Sequence, residues 1–395
     1  MLEKLFWVLI VAGWCYWLLA WRMTRDFFRG PSPGAAGEGN FLPPVSILKP
    51  ARGLDYEAYE NLRSFCAQEY PEFEILVGVA DPEDLYVPLV ERLRREFPER
   101  PIRLVVTPPL GANRKVGILH HLVAQARYGI LVISDSDTRV TPDYLRRVVA
   151  PLADERVGLV TCPYRGESAL TLPAVLEALY MGATFLPSVM VARHVLEMRF
   201  ALGATVALRA RDLARLGGFA AFADYLADDY QLGARMAGLG LGVHLSDYVV
   251  TCVLGPTTFR DEWHREVRWA RCSRLSRPWG YGGLPLTFST VLSLLACLAY
   301  GPAFPGWTAL AGSLLLRWMV ARSVADCIGD RVVRAHLVWL PLRDLLTAFV
   351  WCAGLLGRRV VWRGEAFLLE RDGRMAPALS AGCHLRVGHQ AERSR

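Results

Sequence analysis

Lysine is almost missing from this 395-residue chain: Lys4, Lys49 and Lys115 are the only three, and every other basic residue is arginine. A nucleic-acid binder carries its excess positive charge as a dense stripe. Here the net charge of +7 is scattered, with arginines gathered beside apolar blocks; that pattern suits a membrane surface and excludes nucleic acid as a partner. Thiol-based metal chemistry is missing as well. The nine cysteines (15, 66, 162, 252, 272, 297, 327, 352 and 383) form no C-x-x-C pair and no metal-ligand spacing with histidine. They read as small buried hydrophobes in a reducing compartment. Scarce lysine beside abundant Ala, Gly and Pro points to a GC-rich, bacterial source.

What is abundant is apolar: 53% of the residues are hydrophobic, above the share of soluble domains. The excess falls at the two ends. Leu5–Trp21 is an uncharged run, at the short end of what spans a bilayer. Arg22, Arg25 and Arg29 follow it, which favours a retained anchor over a cleaved leader and sets the following domain in the cytoplasm. A second apolar region starts near Leu286, with candidate spans over Leu286–Phe304, Trp307–Ala321 and His336–Gly357. Arg317, Arg343 and Asp344 interrupt it and are expected to face a bundle interior or an interface. The expected organisation is an anchor at 1–25, a catalytic domain at 43–275, a membrane region at 276–360 and a tail at 361–395. The expected location is a bacterial inner membrane, with the domain on its cytoplasmic side.

Between the apolar ends, short β-branched runs alternate with helical stretches. Strands are expected at 45–49, 73–80, 102–107, 129–135, 157–162 and 203–209, and helices at 55–68, 84–97, 115–126 and 141–152. This alternation predicts an α/β fold, a mostly parallel sheet with helices on both faces. Ligands of such sheets sit beyond the carboxyl ends of the strands. Asp81 follows one strand directly, and Asp135-Ser136-Asp137 follows another. Either alone is often a turn residue or a helix cap. Two on one edge, the second a D-x-D, can direct oxygen ligands at a hard divalent cation that bridges a diphosphate.

Further candidates follow. Lys115, in the loop G-A-N-R-K before a helix, suits a phosphate or nucleotide contact. In Asp228-Asp229-Tyr230 the first aspartate can cap a helix, leaving Asp229 in its first turn at the mouth of the site. Arg265 and Arg268 share one helix face and are followed by Trp269. They can clamp a pyrophosphate and stack on a sugar, or form a basic interfacial helix.

In this order the motifs resemble the ceramide glucosyltransferase family, within the inverting GT-A glycosyltransferases, and its bacterial hopanoid-biosynthesis relatives. The family pattern is an Asp after a strand, a D-x-D-like site, an Asp before Tyr, then (Q/R)-x-x-R-W. The strings KPARG (49–53), N-x-K (113–115), LEALYMGA (176–183) and WRGE (362–365) match too. The resemblance runs from about residue 43 to the end, and the anchor also fits it. It implies a GT-A, Rossmann-like domain with N- and C-terminal transmembrane helices. Eukaryotic members carry D-S-G where this chain has D-S-D, so its metal binding resembles that of other GT-A enzymes. They also carry a histidine after the LExxY helix; GATFLPSV (182–189) has none, so the acceptor pocket is expected to differ.

What the resemblance implies is a hexosyltransferase moving glucose or N-acetylglucosamine from a UDP-sugar to a lipid hydroxyl, of ceramide or a hopanoid, at the bilayer. Asp81 and Lys115 are then expected at the uridine end of the donor, and Asp135 at its ribose or sugar. Asp137 is the expected ligand of Mg²⁺ or Mn²⁺, and Asp229 the general base. Arg265, Arg268 and Trp269 are expected over the pyrophosphate. A processive polysaccharide synthase shares the motif set but needs a wider channel of membrane helices. A non-catalytic nucleotide-sugar binding module is expected to have lost an acidic motif, and here all of them persist.

Overall fold

The computed structural model describes residues 2–30, 41–301, 305–362 and 364–378. Its centre is built from β1 (Val45–Pro50), β2 (Phe73–Val79), β3 (Ile102–Val106) and β4 (Ile130–Ser134). After the short β5 (Thr138–Arg139) come β6 (Val157–Thr161), β7 (Tyr164–Ala169), β8 (Thr205–Arg209), β9 (Gly242–Leu245) and β10 (Val250–Gly255). Seven of these make one sheet in the order β3-β2-β1-β4-β8-β6-β9. Six run parallel and β8 runs against them.

Every residue of β1, β2 and β4 is buried. Ile47, Val77 and Val132 face one apolar cluster with Phe65 and Tyr144, while Leu48, Leu76 and Leu131 face another with Leu119 and Phe222. Burial on both faces is what continuous apolar strands require. Val45 pairs with both Phe73 and Ile130 in parallel, so Pro50, Val79 and Ser134 end on one edge. The reversed β8 pairs Thr205 with Ser134, which carries residues 203–205 to that same edge. All six expected strands are present, as are the four expected helices (Ala58–Cys66, Tyr86–Glu96, Arg114–Gln125 and Tyr144–Val149).

Two smaller sheets were not legible. β5, β10 and β7 form one, in that order, beside the end of β4. Across the boundary expected between membrane region and tail run β11 (Arg359–Trp362), β12 (Glu365–Leu369) and β13 (Met375–Pro377), an antiparallel sheet. It packs Phe367, Leu369 and Met375 on Leu226, and Met375 N–H donates to the Asp224 carbonyl at 2.7 Å.

Glu3–Arg29, Leu172–Val195 and Leu337–Leu355 are long and apolar enough to cross a membrane, and a pair bent by 58° (Pro278–Thr287 with Ser289–Tyr300) is a broken or re-entrant candidate. The Leu172–Val195 stretch is 72% buried inside the protein, which makes it a core element. Gly306–Ile328 is one continuous helix where a shorter span was expected. The N-terminal helix is bonded into this group. Trp14 donates to Ser313 Oγ at 2.7 Å, Trp21 to Ser323 Oγ at 2.8 Å and the Tyr16 hydroxyl to Ser188 Oγ at 2.9 Å. Arg317, 2% exposed, pairs with Asp344 at 2.7 Å and lies over the Trp17 ring. A π-turn at Met181–Phe185 leaves the Ala183 carbonyl for Arg317 Nη1, at 2.9 Å. The charges that interrupt the apolar region thus face the interior. Of the cysteines, Cys66, Cys162, Cys252 and Cys297 are buried, but Cys15 and Cys352 are exposed; Cys383 lies outside the described residues.

Candidate active site

The edge where β1, β2 and β4 end gathers the acidic candidates. Asp135 follows β4 directly, and its N–H donates to the Ala204 carbonyl at 3.2 Å, tying it to the residue before β8. Asn113 caps the helix Arg114–Gln125, accepting from Val116 N–H at 3.2 Å, and so fixes Lys115 in the first turn. Lys115 Nζ then meets Asp135 Oδ1 at 2.6 Å. The loop before that helix approaches Ala223 closely: Gly111 has φ of 65°, and a Cβ there would lie 2.4 Å from the Ala223 carbonyl oxygen.

Asp228 does not cap its helix; it is the first residue of Asp228–Gly238, with Ala227 before it. Its carboxylate instead accepts from Asn113 Nδ2 at 3.3 Å, while the same nitrogen donates to the Tyr225 carbonyl at 2.8 Å. Asp229 follows, its Oδ1 accepting from the Tyr230 N–H at 2.7 Å. Gly203 leaves room for it, since a Cβ there would stand 3.0 Å from Asp229 Oδ2. Burial, then the neighbouring Asp228 charge, pushes the Asp229 carboxyl up to about 7, against the pull of Lys115. Burial also lowers Lys115, but Asp135, Asp228 and Asp229 outweigh it and hold the ammonium above its ordinary value. One lysine therefore serves the D-x-D and the D-D-Y together.

Asp137, two residues on, lies near Asp135, Asp55 and Lys49. Burial, followed by Asp135 and Asp55, pushes it up to about 7, and Lys49 opposes the shift. No hydrogen bond from the described residues reaches its carboxylate. Lys49 is fully buried at the end of β1, donating to the Asp135 carbonyl and to Thr138 Oγ1 at 3.1 Å. Burial pulls its ammonium down to about 7 although Asp135, Asp137 and Asp55 favour the charge. Ser136 donates to Asp55. A carboxylate without a donor, raised by two others, is the donor set a hard cation satisfies. Among the described residues no three His, Cys, Asp or Glu side chains form a metal-holding group; Mg²⁺ in particular takes one or two carboxylates and completes its shell with phosphates and water.

The remaining candidates are dispersed. Asp81 shares the sheet edge but is exposed; its carboxylate accepts from the Glu83 N–H at 2.9 Å, with no bond to Asp135 or Asp137. Arg265 pairs with the buried Glu177 at 2.5 Å and is electrostatically coupled to Asp137. Arg268 lies over Trp362, and Trp269 stacks on Tyr180 at 6.3 Å. The first arginine thus faces the LEALYMGA helix and the second the C-terminal sheet. Lys49, Asp55, Glu177 and Glu365 (which pairs with Arg114 at 3.2 Å) were missed as site residues. Lys49 had a signal, being one of three lysines and part of KPARG.

The sequence pattern described as Glycosyl transferase family 21 matches residues 5–375. Ceramide glucosyltransferase 3 of Caenorhabditis elegans is 24% identical over 86% of this chain and 76% of its own length. Ceramide glucosyltransferase 1 of the same animal is 25% identical over 85% and 73%. Among solved structures, a mannosyltransferase of Pyrobaculum calidifontis in complex with GDP-Man and Mn²⁺ superposes with a TM-score of 0.54 and 22% identity, covering 90% of this chain and 98% of that one. The likeness confirms the GT-A fold expected from the motifs.

Proposed function

We propose, from the premise that this chain belongs to glycosyl transferase family 21, that it transfers glucose or N-acetylglucosamine from a UDP-sugar to the hydroxyl of a ceramide or hopanoid, with inversion. The observation that carries this reading is the shared lysine: Lys115 pairs with Asp135 and is coupled to Asp229. A donor-side carboxylate and a half-buried carboxyl poised near neutrality therefore border one space. The ceramide glucosyltransferase relatives support a lipid acceptor.

In this mechanism Asp81 holds the uridine end, with Lys115 toward the phosphates, and Asp135 orients the ribose or sugar. Asp137, beside Asp135, would hold Mg²⁺ or Mn²⁺, whose charge offsets the negative charge growing on the UDP leaving group. Asp229 takes the proton of the lipid hydroxyl as its oxygen bonds to the anomeric carbon from the face opposite UDP. A base poised near the working pH combines availability with proton affinity, which burial beside Asp228 supplies. Arg265, Arg268 and Trp269 line the way from the pyrophosphate to the membrane helices. Arg22, Arg25 and Arg29 after the anchor favour a cytoplasmic site, at a bacterial inner membrane.

The test is direct. The full chain in nanodiscs receives UDP-glucose or UDP-N-acetylglucosamine with ceramide or diplopterol, and lipid products are read by mass spectrometry and anomeric-proton NMR. One β-linked sugar per lipid is expected. An α-linkage would refute inversion, and a polymer would favour a processive synthase.

A further inference from the structure

Helix Phe259–Ser276 packs against helix Leu340–Leu355, and they border a cavity of about 380 Å³, within the range of small-molecule sites. Leu176, Phe259, Trp263, Leu346 and Val350 form its apolar wall, with Phe259 and Trp263 exposed. Glu262 and Glu266 also line it, and both are buried. Glu266 is held by both terminal nitrogens of Arg343, one of them at 2.7 Å. Glu177 is held in turn by Arg265. Glu262 is left over. It is 2% exposed, neither carboxyl oxygen receives a hydrogen bond from a nitrogen or hydroxyl donor, and the nearest cation, Arg265, stands 4.0 Å away; the groups beside it are the carboxylates of Glu177 and Glu266.

Charge decides what such a site accepts. Burial and the carboxylates of Glu177 and Glu266 push Glu262 up to about 11, so it is a neutral acid at pH 7. Two arginines offset the two remaining glutamates. An anionic head group would find no spare cation inside, since Arg260, the one basic residue of the lining, is exposed to solvent. An ammonium group would have to compete with the arginines already in place. The protonated Glu262 donates to a neighbouring carboxylate, Glu177 or Glu266, and its other oxygen, reached by no donor, costs stability until a neutral hydrogen-bonding group satisfies it.

We propose that this cavity seats an uncharged amphiphile, its hydrocarbon along Leu346 and Val350 and its hydroxyl or amide on the Glu262 carboxyl. Resting on the lipid-transfer reading above, this is the docking site of the acceptor. Glu177 joins the two regions, because its partner Arg265 is also coupled to Asp137.

The test uses the full chain in phosphatidylcholine nanodiscs with a ceramide carrying a diazirine in its acyl chain, and a matching phosphatidic acid as the anionic arm. Ceramide adducts are expected on the cavity side of 259–266 and 340–355. They should fall about tenfold in Leu346→Trp and in Glu262→Leu, where a polar partner is lost. Glu262→Gln, neutral and of the same shape, should keep labelling within about threefold. A thermal shift with UDP on each variant shows that it is folded. Adducts as frequent on the exposed Phe349, equal labelling by phosphatidic acid, or no change in either disruptive variant would overturn the proposal. Labelling needs no turnover, so cavity labelling without a glycolipid product counts against the proposed reaction alone. Glycolipid product with an unchanged acceptor KM in Leu346→Trp and Glu262→Leu counts against the cavity alone.

Discussion

Lys115 Nζ stands 2.6 Å from Asp135 Oδ1, joining the first turn of a helix to the residue that follows β4. Asp228 and Asp229 also act on this ammonium, so a single cation moderates carboxylates drawn from two distant parts of the chain. Replacing it with Met keeps the apolar stem and removes the charge. Donor affinity in Lys115→Met, measured by titration calorimetry with UDP, is expected to fall at least about tenfold, as charge-assisted phosphate contacts are lost. An unchanged Kd would remove Lys115 from the donor site.

Asp229→Asn is expected to lower turnover by about 10²–10⁴-fold with UDP binding retained. A base acts as its carboxylate, and burial with Asp228 pushes Asp229 up to about 7. The wild-type rate should therefore drop below about pH 7 and level off above it. Asp228→Asn removes the like charge and should shift that acid limb to lower pH. A limb that does not move would assign the titration elsewhere.

Chelation is expected to abolish transfer, and Mn²⁺ or Mg²⁺ to restore it. The Asp137 carboxyl, pushed up to about 7 by burial, Asp135 and Asp55, must be deprotonated to ligate. Apparent metal affinity, followed by Mn²⁺ electron paramagnetic resonance, should weaken as pH falls below about 7. Asp137→Asn should weaken it at least about tenfold at pH 8. Full activity in chelator would end the metal assignment.

Arg317 and Asp344 are paired inside the helical group. Removing one partner strands a buried charge, at a cost of about 3–5 kcal/mol, whereas replacing both with apolar residues is close to neutral. Thermal unfolding in detergent should thus show Arg317→Leu strongly destabilised and Arg317→Leu/Asp344→Leu largely recovered. Equal losses in the single and double variants would show that the ion pair is not the source of the effect.

The central sheet was legible because its strands are continuous apolar runs separated by amphipathic helices, and a strand-end aspartate announces itself by position. The fold brings Lys115 onto Asp135 with Asp229 close by, while Asp81, expected beside them, stays exposed at the sheet edge. The short strands β5, β7, β9 and β10 carry no such signal: β7 reads Tyr-Arg-Gly-Glu-Ser-Ala, polar and interrupted, and it forms only because β10 lies alongside it. Glu177 and Glu262 were illegible for another reason. A glutamate in a helical run looks like a solvated residue until the partner helix is placed, and only tertiary packing shows that both are buried. Arg265 and Arg268 share a helix face, yet they find different partners, Glu177, 88 residues before the first, and Trp362, 94 residues after the second.

Three indole and phenol groups stitch the N-terminal helix to serines on the body of the protein, and Trp17 is pinned beneath Arg317. A segment secured along its length in this way is a structural wall and no leash. In the lipid-transfer reading proposed above, the height of the proposed catalytic carboxylates over the bilayer would then be a constant of the architecture, so that how far an acceptor must rise to react would be decided by the fold and not by diffusion at the end of a tether.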